Sequence, residues 1–274
     1  MLLLSTPFDP AAAAPPRPSW EAYVRVGGAV ATLAALGLGW ERLGAGPAGL
    51  GHAVAGGAVH AGWLALGWVL ATGAAPGWRA PTFRLGATMI AASLVARLGA
   101  AGPLAYLVGA VALLAQARRH PPLRAVGLAG ARPSHALAGL VLGAFLGVHL
   151  LVTASRTLGY RLQAGGLSAY LGALAYDIGA NALTAEWLFR GAVFSLLWRR
   201  VTFWPAALLS TGLSLLRYLL DPALPDAAEA RVGAVFYLGL VGLIACALRA
   251  WSGSLLPGYL AALGFFAAYR MLAP

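Results

Sequence analysis

Residues 172–198 read GALAYDIGANALTAEWLFRGAVFSLLW, an apolar run that carries Asp177, Glu186 and Arg190 inside it. A bilayer core takes about 20 mostly apolar residues in helical form, so the run predicts a membrane-spanning helix. Ionisable side chains at such depth are costly, and by default they mark function.

The rest of the chain supports a membrane setting. Its 274 residues are 60% hydrophobic and only 10% charged, with a mean hydropathy of +0.78. A soluble domain carries about 25% charged residues. Apolar runs recur at roughly 23–40, 52–72, 84–99, 101–117, 136–154, 172–198, 202–220, 232–248 and 254–272, which predicts an all-α polytopic bundle of about eight or nine spans. The runs at 84–99 and 101–117 are short and nearly continuous, which leaves the number open.

The formal charge of +11 does not point to nucleic acid. All 19 basic residues are arginine, and they punctuate the gaps between apolar runs. Loops holding Arg17, Arg25, Arg79, Arg84, Arg118, Arg119, Arg124, Arg132, Arg199, Arg200 and Arg249 outweigh the opposite set, so the positive-inside rule puts the N-terminus in the cytoplasm. A bacterial inner membrane fits this pattern.

Four segments are expected: a flexible cytoplasmic lead-in over 1–20, N-terminal transmembrane helices over 21–117, a basic cytoplasmic loop over 118–134 and a transmembrane core over 135–274. The loop from Asp221 to Arg231, with Asp226 and Glu229, reads as a solvated connection. Cys246 is the one cysteine, and no Cys/His spacing suits a metal. Neither a phosphate-binding loop nor a dinucleotide fingerprint occurs, so no cofactor is expected.

At 100° per residue, Asp177, Asn181 and Ala185 line one face of the helix, with Thr184 at its edge. Glu186 and Arg190 fall nearly opposite, at a spacing that suits an ion pair.

The segment Glu186-Trp187-Leu188-Phe189-Arg190-Gly191 resembles the first signature of the CAAX prenyl endopeptidase and bacteriocin-processing (CPBP) family of intramembrane glutamic proteases. That signature is two adjacent glutamates, three residues, then arginine and often glycine. Ala185 stands at the first glutamate. The resemblance implies that this glutamate activates water with a histidine on a following helix, while the second glutamate and the arginine support helix assembly. Hydrolysis needs a general base and donors for an oxyanion, and a methyl group supplies neither.

The family's second signature, phenylalanine and a histidine four residues on, falls on Leu213 and Arg217. Its third, histidine and an asparagine four residues on after a Gly-Ser-Leu turn, falls on Ala262 and Phe266. The lead-in to the third, Gly253-Ser254-Leu255-Leu256-Pro257-Gly258, is reproduced. The resemblance runs from Gly172 to Tyr269.

These substitutions predict a catalytically degenerate member. It would be a pseudoprotease that lies among membrane lipid and binds or presents a transmembrane or lipidated protein, or regulates an active protease partner. Two alternatives stay open. One is an active endopeptidase with an atypical polar site of Asp177, Asn181 and His149. The other is an unrelated transporter or channel. Among the histidines, His52, His60, His120, His135 and His149 read first as helix bridges through imidazole hydrogen bonds. Arg217 needs a partner or a route to a polar surface, and pairing with Asp177 is the sharper expectation. Trp198, Trp204 and Trp251 sit near span ends, whereas Trp187 is expected to pack in the bundle.

Overall fold

The structure, a computed structural model, describes residues 7–10, 17–44, 47, 49–74, 80–157, 159–162, 166–219 and 228–273. Arg79, Asp221 and Asp226, with most of the lead-in, lie outside the described residues. The chain divides into two compact units. The first comprises Met1–Ala14, Val126–Tyr170 and Phe189–Pro274, and the second comprises Pro15–Ala125 and Leu171–Leu188.

In the second unit, α1 (Trp20–Arg42) and α2 (Leu50–Thr72) form an antiparallel hairpin. Glu41, near the end of α1, accepts hydrogen bonds from the Gly49 and Gly51 amides, so its carboxylate covers orphan donors at the start of α2. A Cβ on Gly51 would collide with the Gly37 carbonyl, the close approach by which small residues let membrane helices pack. Next come α3 (Pro81–Val95), a 3-10 turn over Gly102–Tyr106 and α4 (Leu107–Arg119). α3 packs on both α2 and α4.

In the first unit, a 3-10 turn reaching Val126 leads to α5 (Pro133–Thr157). Gly139, Gly143 and Gly147 recur at one-turn spacing along α5. A Cβ at these positions would strike Pro257, Ala261 and Ala268 of α11 (Leu256–Tyr269). The opposite face of α5 exposes Leu137, Val141, Phe145, Val148 and Val152. An apolar exterior of this kind suits hydrocarbon rather than water. Two residue pairs, Arg161 with Ala273 and Leu162 with Leu272, close a minimal antiparallel ladder between β1 (Arg161–Leu162) and β2 (Leu272–Ala273).

The quoted stretch is helical from Leu167 to Trp198 but not uniformly α. It runs as α6 (Leu167–Tyr176), a π segment over Asp177–Asn181, α7 (Ala182–Ala185), a second π segment over Glu186–Phe194 and α8 (Ser195–Trp198). α9 (Phe203–Leu219) and α10 (Ala228–Ser252) follow and pack together, and α10 also packs on α11 and α5.

Among the described residues, 4 helices are long and apolar enough to cross a membrane: Trp20–Arg42, Leu50–Thr72, Pro133–Thr157 and Arg231–Ser252. The shorter helices fall on the remaining apolar runs. The molecule is an all-α membrane bundle.

Candidate functional site

The two π segments correct the face reading. Widened turns join residue i to i+5, and the Ala182 amide donates to the Asp177 carbonyl in that way. A fixed 100° step therefore misplaces side chains beyond Asn181. Before that point the expected neighbours do meet, since Asn181 Nδ2 donates to Asp177 Oδ1 at 2.9 Å. Asp177 is fully buried.

Within the second unit the histidine that meets this stretch is His60 of α2. Thr184 donates its hydroxyl proton to the Ala180 carbonyl at 2.7 Å. Its oxygen is then left to accept from His60 Nδ1 at 3.1 Å, and His60 Nε2 accepts the Tyr176 phenol proton at 3.0 Å. With Thr184 donating to Ala180, a neutral His60 ring carries its proton on Nδ1, and both ring nitrogens are engaged. In sequence His60 is one helix bridge among several, because a partner 124 positions away leaves no local signal.

Trp187 is buried, and its indole N–H donates to the Leu64 carbonyl at 3.0 Å. Gly67 makes room, since a Cβ there would collide with the indole. Gly179 is packed as tightly against the Tyr106 carbonyl. Ala185 is 2% exposed and Glu186 is 3% exposed, so the methyl and the carboxylate are both inside.

Within the first unit the continuing stretch meets cations and hydroxyls. Buried Arg190 donates through Nη1 to Ser214 Oγ of α9 at 2.9 Å. Gly242 of α10 admits the guanidinium, because a Cβ at that position would overlap it. Ser210 donates to the Phe189 carbonyl at 2.7 Å, giving this widened turn a side-chain donor from α9.

The positions of the second and third signatures are also in this unit. Arg217 is half-buried, with its guanidinium carbon 4.5 Å from the Tyr218 ring centre. Phe266 lies 6.0 Å from the same ring, and Ala262 is buried on α11. α9 and α11 therefore bring Arg217 and Phe266 to one tyrosine. The lead-in turn is tightly tied: Gly253 has a positive φ of 65°, the Ser254 amide donates to Ser252 Oγ at 3.1 Å, and the Ser254 hydroxyl donates to Ala129 O at 2.6 Å.

His149 is in this unit, whereas Asp177 and Asn181 are in the other. Its Nδ1 contacts the Tyr237 hydroxyl at 2.8 Å and the Thr153 hydroxyl at 3.4 Å. His135 packs on Trp251 at 4.0 Å, and in the second unit His120 meets Trp68 edge-on at 5.0 Å. His52 is exposed, 3.7 Å from the Glu41 carboxylate. Among the described residues, no three histidine, cysteine, aspartate or glutamate side chains converge to hold a metal ion.

The fold defines a polytopic helical membrane protein whose motif stretch carries buried polar side chains. Residues 166–265 match the family model described as Type II CAAX prenyl endopeptidase Rce1-like. Over these residues the chain is therefore similar to CAAX-type membrane endopeptidases of the CPBP family. Neither the curated proteins nor the solved structures gave a match.

Proposed function

We propose that the protein is a pseudoprotease of the CPBP family, retaining the scaffold of a CAAX-type endopeptidase without the groups that activate water. The observation that carries this reading is the buried methyl of Ala185, immediately before Glu186 in the matched segment. Arg217, Ala262 and Phe266 agree with it: none offers the imidazole or carboxamide of the family signatures. A guanidinium stays protonated and cannot serve as a base.

A bundle that has lost its water activator still binds. Its ligand would be a lipidated or transmembrane segment of another protein, presented to an active relative or withheld from it, in a bacterial inner membrane with the N-terminus in the cytoplasm.

A second reading, hydrolysis through a substitute polar site, draws on the pair Asp177–Asn181 and on His60 beside Thr184. Against it stands the engagement of both His60 nitrogens by neighbouring hydroxyls. The test is incubation of the purified chain in nanodiscs with a prenylated peptide ending in a CAAX sequence. Saturable binding without cleavage is the expected result. Cleavage that disappears in Asp177→Ala would overturn the pseudoprotease reading in favour of the second.

A further inference from the structure

Residues 7–10 dock on the first unit in a manner that neither the family resemblance nor the pseudoprotease reading explains. The Phe8 amide donates to the Ala250 carbonyl at 3.1 Å, and the Phe8 ring stacks on Trp198 with centres 4.8 Å apart and planes 19° from parallel. Two guanidinium carbons face the same ring: Arg249 at 4.7 Å and Arg199 at 5.3 Å from its centre. Asp9 follows, and its charge acts on Arg199 against the partial burial that pushes this guanidinium down from its ordinary value.

The receiving surface is built from the core outward. Arg249 is 2% exposed and donates to Ser195 Oγ at 3.3 Å. Gly127 has a positive φ of 96°, and a Cβ there would come within 2.8 Å of the Arg249 Nε. Trp198 is braced edge-on by Phe203 and stacked on Phe194. The docked residues are unlike their seat: Phe8 is half-buried and Asp9 exposed, so they can leave without opening the core.

A backbone acceptor, an aromatic slot and paired cations form a recognition set for an aromatic residue followed by an acid. Cation–π contacts of this kind contribute about 0.5–2 kcal/mol each, enough to select the ring and too little to fix it permanently. We propose that Trp198, Arg199, Arg249 and the Ala250 carbonyl form a peptide-binding site for an aromatic-acidic pair. Phe8 and Asp9 occupy it in cis and exchange for the same pair on a segment of a partner protein. Tethering gives the cis segment an effective concentration on the order of millimolar, so a free peptide competes weakly until the cis contacts are removed.

The experiment uses the full chain in zwitterionic nanodiscs and a fluorescent peptide of residues 5–10 with blocked ends, read by anisotropy. The double variant Phe8→Ala/Asp9→Asn should bind the peptide at least about tenfold more tightly than the unaltered chain. Adding Arg199→Gln should reverse most of that gain, and the peptide carrying Phe8→Ala or Asp9→Asn should lose about tenfold in affinity, as expected for one or two lost contacts. Equal binding by the double variant and the unaltered chain overturns the proposal. So does indifference to the peptide's phenylalanine and aspartate, or a gain that appears only with phosphatidylglycerol in the disc, which would make the seat a lipid site. A spin label at Pro7→Cys in a Cys246→Ser background supplies a measurement that leaves Phe8 and Asp9 intact. Millimolar peptide should raise the label's mobility, and an unchanged spectrum counts against exchange.

Discussion

Between Tyr176 and Leu188 the motif stretch meets its unit through an imidazole, a phenol, a threonine hydroxyl and an indole, whereas from Phe189 to Trp198 it meets guanidinium groups and serine hydroxyls. In the first set, neutral in that it contains no guanidinium or carboxylate, both ring nitrogens of His60 meet hydroxyls. The second depends on charge-assisted hydrogen bonds, individually stronger and costlier to disrupt. One helical stretch thus carries two kinds of polar stabilisation, and substitutions separate them.

Backbone crowding should outweigh both. A Cβ on Gly179 would overlap the Tyr106 carbonyl, and a backbone atom cannot swing away as a side chain can. Overpacking costs about 1–3 kcal/mol where a core relaxes, so Gly179→Val should cost about 3 kcal/mol or more and leave little folded protein on detergent extraction. Gly212→Ala is the control, with open space at that position. Its melting temperature should hold or rise slightly. A well-folded Gly179→Val would break the description of the neutral set, because that set rests on this approach.

The charged set comes next. Arg190→Leu removes the donor to Ser214 and should cost about 1.5–3 kcal/mol, the range for hydrogen bonds to charged groups. Ser214→Ala alone should cost less. The double-mutant cycle between them should show coupling of about 1 kcal/mol or more, measured by thermal unfolding in one detergent. A cycle that sums to zero would mean that Arg190 works through other neighbours.

How much of this contrast was legible beforehand follows from its physics. The long helices were readable, since 23–40, 52–72, 136–154 and 232–248 lie within Trp20–Arg42, Leu50–Thr72, Pro133–Thr157 and Ala228–Ser252. Hydrophobic runs of that length have few other uses. Asp177 beside Asn181 was also readable, because a spacing of four survives a modest change of pitch. The π segments were not, because an apolar stretch buried on most sides carries no periodicity that separates 3.6 from wider turns. The partners Leu64 and Ser214 were equally hidden. Their contacts rest on carbonyl and hydroxyl groups found along most of the chain, and only the fold selects which of them meet.

The neutral set should respond more mildly. Tyr176→Phe removes one donor and leaves His60 Nε2 buried beside a ring edge, for about 1–2 kcal/mol. His60→Phe leaves the Tyr176 hydroxyl without its acceptor and the Thr184 oxygen without its donor, and should cost somewhat more. Substrate-peptide binding should survive both if their role is structural. Loss of binding at unchanged melting temperature would move His60 and Tyr176 from the framework into the ligand site.

The smallest effect should come from Ser210→Ala, and it tests why the second widened turn persists. Ser210 donates to the Phe189 carbonyl from another helix, while the turn's own i+5 amide remains available to that carbonyl. Deleting the hydroxyl removes about 1 kcal/mol, as for an ordinary neutral hydrogen bond. If the turn were only a response to that donor, the stretch would tighten toward an α-helix and Arg190 would rotate away from Ser214, so Arg190→Leu would cost little more on top of Ser210→Ala. Additive costs instead would show that the wide turn is held by the packing of Phe189 to Phe194, with Ser210 filling a position the backbone had already opened.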